Sequence, residues 1–391
     1  MGRPAVKINY LNGQLGGVVR AEDRVAGLIL SGVAESGIAL LEPKQVFSLE
    51  EAVSLGIAVA TNPLAYQEIS DFYKKAGKGS ELWIMLVVNT TLLADISNKN
   101  NNIARKLLDA ADGRIRRLGI NRKPPVGYSM VNTECVDTDV LTAKINLQEL
   151  LVEYQAAQKP FRAMLPHLGF DKTQTSNLHN FRQDTHNGVN LISWSAYTNG
   201  QPSVGFSLGW WVSLPVHRNL GRVKNGDVGL LNVYFPDGTP IKELETKWDD
   251  FHDKGMTFLI RHYTRSGWYF VNDYTCSPAT DDYNQLSRGT TIDLARVVLY
   301  NVLIGELLDD VEVDEDGNLP ESVVLGIQSE CENAIVQNMR ENISGKPTII
   351  IPSGQNFLAT NKINMQIKIR PRGQFKDIEA DLSFDNPMNH N

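Results

Sequence analysis

Cysteine is scarce: Cys135, Cys276 and Cys331 are the only three in 391 residues, odd in number and far apart. That excludes a disulfide framework and a thiolate metal site, and it fits a reducing compartment. No apolar run approaches the roughly 20 residues needed to cross a bilayer. The opening Met-Gly-Arg-Pro lacks the apolar stretch of a signal peptide, so export by that route is not expected and the chain is expected to be made and kept in cytoplasm. Positive charge is in deficit as well. A net charge of -7 argues against a nucleic-acid partner, which requires a basic stripe. There is no P-loop, no G-x-G-x-x-G after a strand, no H-E-x-x-H and no C-x-x-C, and neither an internal repeat nor a low-complexity tract.

What remains has the composition of an ordinary globular protein, 42% hydrophobic and 21% charged, and is long enough for two domains. The first twenty residues are polar and glycine-rich, an extended arm with one short strand signal at Val6, Ile8 and Tyr10 and a hinge at Gly13, Gly16 and Gly17. Ala26–Val33 reads as a buried strand. A helix is expected over Leu49–Leu55, and another opens at Asn62-Pro63, a cap followed by proline at the first helical position. Leu82–Val88 is apolar without alternation, as in a strand covered on both faces of a parallel sheet. Ile103, Leu107, Leu108, Ala111, Ile115 and Leu118 predict one amphipathic helix. A strand near Gly127–Val131, a helix near Leu141–Gln158 and strands at Arg162–Leu165, Val189–Trp194 and Gly229–Phe235 follow, with a polar loop over 170–189. Alternating strands and helices make residues 21–250 an α/β unit.

Past a boundary near Phe251 the pattern becomes α+β. Strands at Met256–Tyr263 and Gly267–Val271 precede a helix from Thr291 to Leu308, an acidic hairpin at Val311–Asn318 and a helix over Pro320–Asn342 striped by Val324, Ile327, Cys331, Ile335 and Met339. The stretch from Asn361 to Phe384 then alternates strictly. Ile363, Met365, Ile367 and Ile369 interleave with Asn364, Gln366, Lys368 and Arg370; after the turn 371–374, Ile378, Ala380, Leu382 and Phe384 interleave with Asp377, Glu379, Asp381 and Ser383. Each segment has one apolar and one polar face, basic in the first and acidic in the second, so pairing them opposes unlike charges. Such a ribbon has open edges. Strands at both termini either close on their own chain or are lent to neighbours by strand addition; lending is the expectation, with residues 1–20 and 375–391 as arms and 251–374 as the body between.

Candidates for chemistry are thin. Gly205-Phe-Ser207-Leu-Gly209 fits the G-x-S-x-G nucleophile elbow, in which a strained strand-to-helix turn offers the serine to a histidine; a loop precedes it where a strand is required, and a packed glycine-rich helix is the plainer reading. Ser207 keeps an α/β hydrolase as the alternative. Glu312 to Val323 resembles a calcium loop around Gly317 but lacks the first aspartate and the twelfth-position glutamate, leaving an acidic turn. His179, Asp184 and His186 are spaced for neither a helix face nor a strand face, so solvated loop residues are expected. Asp273, Asp281 and Asp282 sit among turn and cap residues.

An ordered set of segments resembles the tail sheath proteins of contractile phages, specifically the Mu-like group known by a domain of unknown function. It comprises Gly16-Gly17 leading to Arg24-Val-Ala-Gly-Leu-Ile29, Phe47 to Ile57 (FSLEEAVSLGI) and Leu107 to Ile120 (LLDAADGRIRRLGI). Gly267-Trp-Tyr-Phe-Val-Asn-Asp273, Thr280-Asp-Asp-Tyr283, Arg288-Gly-Thr-Thr-Ile-Asp293, Ile367-Lys-Ile-Arg-Pro371 and Asp377-Ile-Glu-Ala-Asp381 complete it. The resemblance implies a non-enzymatic subunit with no cofactor or metal, with another structural component of a tail or injection device, such as a tube or baseplate protein, as the alternative within that class. The sheath subunit so implied stacks in six-fold rings around an inner tail tube protein, meets baseplate and tail terminator proteins, contracts to drive the tube through a cell envelope, and binds no nucleic acid and inserts in no membrane. Its place would be the virion tail sheath, assembled in the host bacterial cytoplasm. It further implies an outer α/β domain, a tube-facing domain over 251–374, and arms that add strands to neighbours through Val6, Ile8, Tyr10, Ile367, Ile369, Ile378, Leu382 and Phe384. Glu321, Glu330, Glu332, Arg340 and Glu341 are the candidate tube-facing residues.

Overall fold

The computed structural model describes residues 23–384; Val6, Ile8, Tyr10, Gly13, Gly16 and Gly17 lie outside them. The fold is mixed α/β. Its centre is β1 (Ala26–Ser31), buried throughout, with parallel neighbours β3 (Leu82–Val87) and β4 (Arg117–Asn121). β7 (Arg162–Pro166) and β8 (Val189–Ile192) extend the sheet in parallel, and β2 (Lys44–Val46) caps the far edge antiparallel, giving the order β2-β3-β1-β4-β7-β8. The unbroken apolar run of β3 reflects burial on both faces.

One face carries α2 (Pro63–Ala76) and α6 (Val204–Ser213), the other α3 (Leu93–Ser97), α4 (Ile103–Ala110) and α5 (Thr138–Ala156). Gly27 on β1 faces Leu107 of α4, and Gly119 on β4 faces Val204 and Leu208 of α6, so both glycines let a helix settle onto the sheet. The short α1 (Leu49–Ser54) is capped by Ser48 Oγ accepting from the Glu51 N–H.

Four expectations need correction. The helix read through Leu118 stops at Ala110, because Asp112 and Gly113 turn with φ of 51° and 66°. Ile115 and Leu118 are buried from that turn and from β4, a strand whose spacing had passed for helical. Gly127–Val131 is a turn with Val126 fully exposed, followed by a small hairpin of β5 (Asn132–Thr133) and β6 (Val136–Asp137). Gly229–Phe235 reduces to a bridge in which Tyr234 meets Ser195 and Pro240. Val311–Asn318 forms no hairpin: Asp314 accepts from the Asp316 and Asn318 N–H groups in a single turn.

Beyond β8 the main core continues through α7 (Trp248–Asp253) and the hairpin of β9 (Leu259–Ile260) and β10 (Tyr269–Phe270), so Phe251, where the sequence suggests a boundary, lies among Phe170, Phe235 and Phe258. A second, smaller core sits between α8 (Leu286–Leu303) and α9 (Glu321–Met339): Leu294, Ala295, Val298, Ala334, Ile335 and Met339, closed by Val216 and Ile343. The two cores are joined by a buried ion pair. Arg162 of β7 reaches Asp293 of α8 with Nε–Oδ2 at 2.6 Å and Nη2–Oδ1 at 3.1 Å, the two-pronged geometry that suits guanidinium to carboxylate. A Cβ on Gly289 would lie 2.6 Å from Arg162 Cζ, so a glycine makes room for that side chain. The chain ends with β11 (Thr348–Ile350), α10 (Phe357–Thr360), β12 (Gln366–Lys368) and an extended tail.

Candidate assembly surface

The terminal segments fold differently from the ribbon that their alternation suggests. β12 pairs antiparallel with β11 rather than with residues 377–384, in the register Thr348–Lys368, Ile349–Ile367 and Ile350–Gln366. Two contacts select that partner. Ile349 and Ile367 share a half-buried face over α9, where Gln328 Nε2 donates to the Ile349 carbonyl at 3.3 Å, and Ile369 packs on the second core. The Ser344 N–H donates to the Arg370 carbonyl at 2.9 Å and Ile343 bridges to Pro371. Ile367 and Ile369, expected in a linking arm, are therefore bound within their own chain; the Asn361–Arg370 segment satisfies its apolar face locally.

From Arg372 onward the picture reverses. Residues 372–384 are exposed, and among the described residues no strand pairs with them. Phe375, Ile378, Leu382 and Phe384 keep 93%, 81%, 100% and 103% of their surface in solvent. Ile378, Leu382 and Phe384, with Ala380 between them, alternate with carboxylates at Asp377, Glu379 and Asp381 and form a one-sided strand with nothing under it among the described residues, while Phe375 falls on the carboxylate face.

The root of this tail is held. Gln374 Oε1 accepts from Asn219 Nδ2 at 3.3 Å and Gln285 Nε2 at 3.2 Å, while its Nε2 donates to Ser287 Oγ at 3.4 Å. These groups surround buried Asp273, which receives the Ser287 N–H at 2.9 Å and Asn219 Nδ2 at 2.6 Å. Burial pushes the Asp273 carboxyl up to about 6. Lys376 sits 5.4 Å over the Tyr274 ring. The sequence reading missed this clasp; Asn219, Asn272 and Gln285 are polar residues scattered along the chain, and only folding collects them.

The α9 candidates divide. Glu321, Glu330, Arg340 and Glu341 are exposed, whereas Glu332 is half-buried and pairs with Lys346 at 2.5 Å. The catalytic alternatives take structural places. Ser207 is buried mid-helix, donating to the Ser203 carbonyl at 2.8 Å and accepting from Trp194 Nε1 at 3.1 Å. The two glycines of its motif are where α6 crosses α2: a Cβ on Gly205 would collide with Glu68 backbone, and one on Gly209 with Phe72 backbone. The small-x-x-x-small spacing, not a nucleophile elbow, explains the pentapeptide. His179 is not a free loop residue. It lies between Glu134 and Asp184, Lys144 also reaches Asp184, and the Asp184 carboxylate leads the contacts that hold His179 above its usual range. No group of three or more His, Cys, Asp or Glu placed to hold a metal occurs among the described residues. Asp281 accepts from the Tyr283 N–H within its own turn and from Asn187 Nδ2, which ties that turn to the segment before β8. Cys135, Cys276 and Cys331 are free and buried.

This architecture is that of contractile sheath proteins. The contracted helical sheath of the anti-feeding prophage superposes with a TM-score of 0.66 at 12% identity over 98% of this chain and 100% of that one. The contracted sheath complex of the extracellular contractile injection system PVC gives 0.63 at 10% over 100% and 99%. The sheath tail protein Lin1278 from Listeria innocua gives 0.50 at 9% over 89% and 95%. At these identities the likeness is one of fold. The chain itself belongs to the DUF2586 family, whose N-terminal domain matches residues 3–273. No curated protein matches the sequence.

Proposed function

We propose that this protein is a non-enzymatic structural subunit of a contractile tail sheath, of the Mu-like kind. It polymerises in stacked six-fold rings around an inner tube and contracts to drive that tube through a cell envelope. The carrying observation is the exposed tail 372–384, apolar on alternate positions from Ile378 to Phe384 and unpartnered among the described residues, on a body with the sheath fold. Such a segment is stable only when another molecule covers it, and strand addition supplies both backbone hydrogen bonds and apolar burial. Each backbone bond contributes only about 0.5–1.5 kcal/mol net, and burying a side chain the size of Leu382 or Phe384 adds about 1.5–3 kcal/mol. A ladder of several residues therefore makes a durable link. The exposed edge of β12 suits it as acceptor, because Lys368 and Arg370 would oppose Asp377, Glu379 and Asp381 of the incoming tail. The N-terminal arm, with Val6, Ile8 and Tyr10 before a hinge at Gly13, Gly16 and Gly17, is assigned the same role toward another neighbour. Glu321, Glu330 and Glu332 of α9, with Arg340 and Glu341 just past its end, are assigned to the tube, a polar contact weak enough to release. Baseplate and tail terminator proteins are the remaining partners, and the virion tail the place.

The test is truncation. Chains lacking 1–20 or 375–391 should fold with unchanged thermal midpoint yet form no cylinders in negative stain. Cylinders of normal length from the shorter chain would refute the reading.

A further inference from the structure

Charge in the C-terminal unit is sorted by position. Between Val297 and Met339 the sequence holds ten aspartates and glutamates and no lysine, arginine or histidine, more negative charge than the net -7 of the whole chain. Most of it lies on the connection from α8 to α9, Glu306 to Asp316, and among the described residues none of those carboxylates has an ion-pair partner. Two leucines lead into this tip; Leu308, with φ of 67°, is 95% exposed. The opposite end of α9 is basic. His217 Nδ1 meets Asn342 Oδ1 at 2.9 Å, which brings the turn bearing Arg218 and Arg222 against the helix end and beside Arg372. Burial leads in lowering both Arg218 and His217, and neighbouring guanidiniums add to it, Arg222 and Arg372 on Arg218 and all three on His217; Glu341 is the one carboxylate acting on Arg218, and among the described residues none of the three forms a salt bridge. Phe375, three residues past Arg372, is an exposed apolar ring.

The ends are complementary, acidic against basic, yet they cannot meet in one chain. The 19 residues of α9 hold them apart by about 28 Å at 1.5 Å per residue. We infer that the α8–α9 tip of one copy docks, through Leu307, Leu308, Asp309 and Asp310, on the Arg218, Arg222 and Arg372 patch of a second copy. A contact between two different surfaces of the same chain repeats head to tail and builds open polymers rather than closed pairs. This rests on the self-assembling reading above and adds a second, salt-sensitive link beside the arms.

Two separately tagged full-length preparations test it, one carrying Leu308→Cys and the other Arg372→Cys, mixed with a short bismaleimide. The three native cysteines are buried. A mixed-tag cross-link is expected. It should be lost in 1 M salt, where screening acts within about 3 Å, and should fall roughly tenfold when the second copy also carries Arg218→Glu and Arg222→Glu. Adding Asp309→Arg and Asp310→Arg to the first copy should restore it. The substituted side chains are exposed except Arg218, which is half-buried, and an unchanged circular-dichroism melt verifies folding. Absence of the cross-link, indifference to salt, or failure of the charge swap would overturn the docking, including the case in which the tip meets a different protein. Repeating the mixture without residues 378–391 separates the two ideas: a persisting cross-link without cylinders supports both links, whereas cylinders without arms refute the arms alone.

Discussion

Alanine at Gly209 offers the sharpest test of how α6 and α2 meet. The added methyl would stand 2.3 Å from the Phe72 carbonyl oxygen, 2.9 Å from its Cα and 3.0 Å from its carbonyl carbon, all backbone atoms that cannot swing aside. Carbon rests at about 3.3 Å or more from a carbonyl oxygen, so the helices must part by about an ångström along a crossing buried against β1 and β4. Overpacking of this kind costs about 1–3 kcal/mol, against at most about 1 kcal/mol gained from alanine's better helix propensity. Gly205→Ala meets Glu68 backbone one turn earlier and should behave alike. The double variant should cost less than the sum, because separation forced at one site relieves the other. Urea unfolding followed by tryptophan emission reads this out, since Trp210 and Trp211 lie on α6 itself. The midpoint should drop with an unchanged slope. A raised midpoint, as for glycine replaced on an exposed helix, would refute the close-crossing account of the pentapeptide and reopen the question of what its glycines do.

Arg162→Ala should be among the most destabilising single changes, by about 3–5 kcal/mol, because it strands Asp293 in the interior; calorimetry should show the loss, and a variant within 1 kcal/mol of wild type would deny the pair its joining role. Stability should also fall as pH rises from about 6.5 to 8. Burial pushes Glu68 from 4.5 up to about 8, so the folded chain holds a proton that the unfolded chain has released, and that advantage fades through the window. His167, pushed by burial from 6.5 down to about 4, works the other way and only below pH 6.5, since there the unfolded chain takes the proton. Glu68→Gln should flatten the decline above pH 6.5 in chemical melts; an unaltered slope would place its cause elsewhere.

Strand β3 could be read from composition because a run such as Leu82–Val88 has one physical explanation, burial on both sides. The same logic failed at Ile115 and Leu118, where apolar residues three apart fit a helix and a turn-plus-strand equally; only the positive φ of Asp112 and Gly113 decides between them. At the C-terminus alternation correctly marked one-sided segments but carried no information on partners. Ile367 found Ile349, eighteen residues back, while Leu382 found no partner among the described residues. The clasp around Gln374 and the Arg162–Asp293 pair join residues from 87 to 155 positions apart, a separation at which no local pattern survives.

That pair has a mechanical consequence. Tension applied to the tail enters the body at Gln374, passes by way of Ser287 into the first turn of α8, and reaches Asp293 two turns along the same helix. From there Arg162 hands it to β7, in the interior of the six-stranded sheet. A pull on the tail is thus borne by the stiffest layer of the molecule, and the two-stranded ribbon beside it is spared.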